Sequence, residues 1–211
     1  MIKIPDIILS ILVTIPGIII AITLHEYTKS LVANSLGDKG IKAQGRLAPN
    51  PLRHMDPLGG IFLVFFGYGW SNPVRLAPSS FKERKKAMLM IFIMPFLANI
   101  IAGFAFTIAF NFFDASYFNL QDSINIQTYR IIWNILRFIA IYNISFALFS
   151  IIPIYPLSGT YLLWAISPPA ALKVSQHENI LKMLLVFFIV MFFARNVFDP
   201  VVHTLIQVLA F

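Results

Sequence analysis

Residues 7–29 read IILSILVTIPGIIIAITL-HEYTK, and the architecture of the whole chain turns on them. From Ile7 to Leu24 there is no Asp, Glu, Lys or Arg. That run is about as long as a helix needs to be to cross the hydrocarbon of a bilayer, roughly 20 residues. It lacks a strong basic leader and a small-residue cleavage site, so it reads as a span rather than a removed signal peptide. The helical pattern continues to about Leu36, where Gly37 is a natural stop. His25, Glu26 and Lys29 thus fall within one turn of a lipid-embedded helix. Lys29 follows His25 by four residues and Glu26 by three, spacings that share a helix face. Ionisable groups in such a place are costly and are paired or functional. The plainest reading is that Lys29 snorkels to the interface and pairs with Glu26.

The rest of the 211 residues have the same character. Hydrophobic residues make up 58% and charged residues 12%, against about 25% charged in a soluble domain. That balance excludes a disordered chain, a nucleic-acid-binding arm and most soluble enzymes. There is no Cys, hence no disulfide framework, thiolate zinc site or thiol nucleophile. A second apolar run covers Ala87 to Phe113, interrupted by Pro95. A third runs from near Tyr129 to Ile152, and a last one from about Asn179 to Ala194. A Pro-Gly turn and a short helix near Leu157 to Ile166 separate the third from the last. Val201 to Phe211 is too short to span and suits an interfacial helix. Ile61 to Trp70 is aromatic, Gly-punctuated and also too short. It predicts an embedded re-entrant β-hairpin or loop, tolerated at depth only where protein or trapped water satisfies its backbone. The fold expected is an all-α, multi-pass integral membrane protein of four to six membrane segments. It forms a single domain over residues 1–211, with its motifs in 7–164 and a terminal span and interfacial helix in 177–211.

The formal charge is +7, from 16 Lys and Arg against 9 Asp and Glu. The cations gather in Lys39 to Lys86, whereas Asp114 to Gln127 holds two acids and no base. The positive-inside rule puts the first segment in the cytoplasm and the second on the opposite side. Lys82-Glu83-Arg84-Lys85-Lys86, just before a span, reads as an anchor on anionic headgroups. The partners expected are the lipid bilayer and transmembrane segments of other proteins, not nucleic acid.

A longer series of motifs surrounds the His-Glu pair. Leu24-His25-Glu26-x-x-Lys29 is followed by Gly37-Asp38, by Gly45-Arg46-Leu47, and by Asn50-Pro51-x-x-His54-x-Asp56-Pro57-Leu58-Gly59. Then come Pro95-x-x-Asn99 and Pro153-x-x-Pro156-Leu157-x-Gly159. In this order and spacing the chain resembles the site-2 protease family of intramembrane zinc metalloproteases, over about Ile7 to Trp164. The resemblance implies an H-E-x-x-H helix supplying two zinc ligands and a general-base Glu, and a P-L-D-G turn supplying an Asp as third ligand. Three ligands leave one position for water, whose pKa the metal lowers.

Carried onto this chain, the first His is His25 and the general-base Glu is Glu26. The second His position holds Lys29 and the Asp position holds Ser158. Met94 stands where a Gly is usual, and Ser150 where an Asn precedes the turn. Asn99, Pro156 and Gly159 keep their places as lining residues. An ammonium has no lone pair, and a neutral hydroxyl is a poor zinc ligand, so His25 is the only ligand retained and Glu26 is idle. No cofactor is then expected. Zinc with two His, an Asp and a Glu sums to zero charge, and so do Lys29⁺ and Glu26⁻ with Ser158. Lys29 would take over the metal's electrostatic role, pairing with Glu26 and within reach of Ser158 and Asn99. The reading is a non-catalytic relative that binds transmembrane segments.

The alternative is an active zinc-dependent intramembrane endopeptidase with a rearranged site, His54 and Asp56 swinging toward His25. The Asn50-Pro51 and Asp56-Pro57 steps look more like turn-makers, with His54 bonded to backbone. A small transporter or channel is disfavoured by the few polar residues in the spans. His177, Glu178 and His203 read as interfacial. Tyr155 reads as a lining residue of the turn.

Overall fold

The computed structural model describes residues 4–120, 125–191 and 200–207. Three long helices form the frame: α1 (Ile4–Leu36), α5 (Arg84–Leu120) and α6 (Ile126–Phe149). Among the described residues these three are long and apolar enough to cross a membrane. They pack on one another, and α1 ends, as its pattern predicts, just before Gly37. Pro16 and Pro95 lie inside α1 and α5. Such breaks survive in a bundle because neighbouring groups satisfy the freed carbonyls.

Between α1 and α5 the chain forms three short helices, α2 (Gly40–Ala43), α3 (Pro51–His54) and α4 (Pro57–Phe66). The two Asx-Pro steps are helix starts. Asn50 accepts the Leu52 N–H, and Asp56 accepts those of Leu58 and Gly59 at 2.9 and 3.0 Å. In each case Pro fills the first helical position, where its missing N–H costs nothing.

The β-hairpin expected over Ile61 to Trp70 is not what forms. Ile61–Phe66 continues α4, and no strand is present among the described residues. The aromatic composition suits either state, and the Asp56-Pro57 start settles it for helix. Gly67, at φ +79°, caps the end in the left-handed region that glycine enters freely. Beyond it the chain runs extended, and a single antiparallel bridge joins Met55 to Ser71.

After α6 the Pro-Gly turn leads into α7 (Gly159–Ile166), α8 (Pro168–Ser175) and α9 (Glu178–Val190). Gly159 is there because nothing larger fits. A Cβ would collide with the carbonyls of Ile151 and Ile152. Its own N–H bonds the Ser150 carbonyl at 2.7 Å, folding the turn against the end of α6. α9 covers this turn, burying Leu185 and Ile189 against Tyr68, Trp70, Phe149 and Leu157. Of the last expected span, Asn179 to Met191 is described, while 192–199 lie outside the described residues. Residues 200–207 are helical, with Val202 and Ile206 packed beside Phe110. The remainder of the expected interfacial segment, 208–211, lies outside the described residues.

Candidate functional site

α1 carries its polar turn into the middle of the bundle. His25, Glu26 and Lys29 are 1%, 0% and 0% exposed, so Lys29 does not snorkel. Its ammonium donates to Glu26 Oε1 one turn back, an ion pair sealed from solvent. The Ser71 hydroxyl donates to the same carboxylate oxygen at 2.7 Å. Tyr161 of α7 lays its ring 5.2 Å from the Lys29 nitrogen, a cation–π contact in a desolvated place.

His25, on the same face, has a different partner. Its Nε2 shares a 2.7 Å hydrogen bond with Ser158 Oγ, and its ring meets Phe146 edge-on at 5.1 Å. Ser158 is the N-cap residue of α7, yet its side chain makes no capping bond. The hydroxyl is spent on the histidine instead. Lys29 and Ser158 therefore find separate partners: Lys29 takes Glu26, and Ser158 takes His25. The wider set in which Lys29 also holds Ser158 and Asn99 is not formed. Asn99, fully buried, donates its amide to the Ala21 carbonyl at 3.0 Å. Pro156 and Gly159 flank the turn that presents Ser158.

His54 stays in its own loop. It is buried, with Nε2 on the Ala48 carbonyl at 2.9 Å and its ring 6.4 Å from that of Tyr27. Burial pushes its imidazole below the ordinary value, which favours the neutral form. Asp56 is committed elsewhere, as the α4 cap and as acceptor from Lys182 at 2.8 Å. Among the described residues no three His, Asp or Glu side chains gather in a metal-binding group. The donors present do not fit a three-ligand zinc site. One is an ammonium without a lone pair, and another is a hydroxyl bonded to the sole histidine.

Buried atoms without partners mark the cluster as polar beyond its own needs. Glu26 Oε2 has no hydrogen-bond partner among the described residues, and the Asn99 side chain faces His25 without a close hydrogen bond. Such groups are uncommon in folded proteins and expensive to keep.

A cavity of about 460 Å³ adjoins the cluster, with Tyr161 and Pro156 in its wall. It opens between the extended segment 72–76 and helices α7, α8 and α9. Asp56, Arg75, Glu178 and Lys182 supply its charges, and Trp164 and Leu163 part of its apolar side. Burial and then the Glu178 carboxylate push the Tyr155 phenol up to about 12, so it stays a neutral donor at neutral pH. His177 is exposed and bonds the Lys173 carbonyl at 2.8 Å.

The chain is similar to a protein named as a metalloprotease. Over 165 residues it is 29% identical to "Putative zinc metalloprotease YwhC" of Bacillus subtilis (strain 168). The match takes in 77% of this chain and 73% of that protein. No family model and no solved structure matches the chain. The similarity supports a metalloprotease-like membrane protein.

Two contributors to the site were missed in the sequence. Ser71 sits in a run of Gly and aromatics, and its only signal is being small and polar inside an apolar stretch. Tyr161 looks like an ordinary aromatic of an apolar helix, and only the packing of α7 brings it over Lys29.

Proposed function

We propose that this protein is a non-catalytic member of the site-2 protease family, a pseudoprotease that binds transmembrane segments without cutting them. The observation that carries the reading is the sealed contact of Lys29 with Glu26. A cation already neutralises the carboxylate that would serve as general base, at the position where the family places a second histidine. A protonated amine there repels Zn²⁺ and holds the Glu26 oxygen that would take a proton from water. The Ser158–His25 hydrogen bond supports the same reading, because the one remaining histidine is engaged. The cavity beside Tyr161 offers a partner segment both apolar and hydrogen-bonding walls. In this reading the basic segment 39–86 is cytoplasmic and 114–127 lies on the other side. The membrane segments are the three long helices together with the α9 region.

The test is zinc content and cleavage, measured together. The purified protein should carry no stoichiometric zinc and leave a membrane-embedded substrate intact. Zinc that disappears in His25→Ala, with chelator-sensitive cleavage lost in Glu26→Gln, would instead establish an active enzyme with a rearranged site. Lys29→His with Ser158→Asp should recover zinc binding, because it returns two neutral or anionic donors to His25.

A further inference from the structure

The end of the bundle where α1 stops and α5 begins presents cations from two distant parts of the chain. α2 docks there through Ile41, which is 0% exposed and packs with Phe81, Ala87 and Met88. Asp38 ties the two parts together. One carboxylate oxygen accepts the Ala77 N–H at 2.8 Å and the other the Gly40 N–H at 3.1 Å. Gln44 adds a second tie, donating to the Arg75 carbonyl at 2.7 Å and accepting the Arg75 N–H at 3.3 Å. α2 is thereby tied to the stretch 75–77 that leads into α5, with Ile41 in one apolar cluster with Phe81, Ala87 and Met88 at the α5 start.

The charge at this end is one-sided. Lys39, Lys42, Lys82, Arg84, Lys85 and Lys86 are all exposed. Of the acids in these two segments, Asp38 is buried and spent on backbone N–H groups. Glu83 is exposed, 4.0 Å from Lys86. The first turn of α5 holds Arg84, Lys85 and Lys86 and no acid. Cations at a helix N-terminus oppose the helix dipole, so they do not serve the stability of α5. Immediately beyond them α5 becomes apolar and long enough to cross a bilayer. With α5 across a bilayer, these cations would lie at the depth of lipid headgroups.

We infer that the α2 lysines and the basic start of α5 form one binding surface for anionic phospholipid headgroups. The bilayer supplies the negative charge that the fold withholds. α2 and the α5 start grip neighbouring phosphates together, which a linear basic stretch alone would not do. The inference rests on α5 crossing the membrane and is independent of whether the protein is catalytic.

The experiment is reconstitution of the full chain in nanodiscs of phosphatidylcholine, with and without phosphatidylglycerol, followed by thermal unfolding and lipid-retention measurements. Phosphatidylglycerol should be retained preferentially and should raise the unfolding midpoint, an effect that fades with added salt. Neutralising Lys82, Arg84, Lys85 and Lys86 to Gln should cut the preference by about fivefold per cation removed. Lys39→Gln with Lys42→Gln should weaken it by about fivefold per cation removed. In phosphatidylcholine alone the four-Gln variant should be at least as stable as the wild type, which shows that it folds. Equal retention of both lipids by the wild type would overturn the inference, and so would a preference undiminished by the four-Gln change or by Lys39→Gln with Lys42→Gln. A stronger response to a soluble polyanion such as short RNA than to phosphatidylglycerol would also overturn it. Failure of the chain to enter nanodiscs at all would refute the spanning role of α5 itself.

Discussion

Two ion pairs in this molecule sit in opposite circumstances. Lys29 and Glu26 lie three residues apart on one helix, with side chains 1% and 0% exposed. Lys182 and Asp56 come from α9 and the start of α4, 126 residues apart, with side chains 32% and 18% exposed. The local pair is dry and the distant pair is partly wet. A dry pair gains little over two apolar residues, yet removing one partner strands a charge in the core. A partly wet pair gains modestly and loses modestly. The first therefore adds little net stability while making each of its members costly to remove alone. The second positions α9 over Trp70, 5.3 Å from the Lys182 nitrogen, and over the cavity.

The sharpest way to break the contrast is Lys29→Met. It should cost about 3–5 kcal/mol in thermal or denaturant unfolding in micelles, because the buried Glu26 carboxylate loses its ion-pair partner. Adding Glu26→Gln should recover most of that loss. If the single change is as mild as one at Lys182, water reaches the pair and the contrast collapses. Ser158→Ala comes next, at about 1–3 kcal/mol, since it removes the hydroxyl that bonds His25 Nε2 in a buried place. Asp56→Ala should cost about 1–2 kcal/mol by removing the α4 cap. Asp56→Asn, which keeps a capping oxygen, and Lys182→Gln should each cost under about 1 kcal/mol.

The wet pair should also respond to pH, and the same unfolding measurement detects it. Burial raises the Asp56 carboxyl, but Lys182 and the Gly59 N–H outweigh it and hold the group below the ordinary carboxylate value. A carboxyl depressed in the folded state stabilises the fold above its unfolded value, about 3.9. That stabilisation drains away as pH falls through the folded value. Asp56→Asn should flatten stability in this acidic window, and a variant as acid-sensitive as the wild type would show that the pair contributes nothing.

Much of the frame was legible in the residues. Long apolar runs announce α1, α5 and α6, the last despite Arg130 and Arg137 near its start, because backbone in lipid must satisfy itself within a helix. The Glu26–Lys29 contact was also legible, because three residues on a helix is a fixed distance. Two readings went astray for a common reason. The aromatic, Gly-punctuated composition of Ile61–Trp70 suggests a re-entrant β-hairpin or loop, but composition does not distinguish strand from helix. The helix start at Asp56-Pro57, four residues upstream, had the deciding signal. Lys29 was given Ser158 and Asn99 as further neighbours, but side chains converging from three elements choose partners by packing.

The sequence by itself determined that the chain belongs in lipid, where its long helices run, and that a cation stands one turn beyond His25 and Glu26. Period, length and charge are local properties, and each can be counted along the chain. Only the tertiary structure decided that Ser158 bonds His25, that Ser71 joins Glu26, and that Tyr161 closes over Lys29. These contacts link residues 45 to 133 positions apart. Their geometry depends on the close approach at Gly159 and the path of the chain after Gly67. Neither can be read from the spacing of residues, because both come from how closely one element lets another approach.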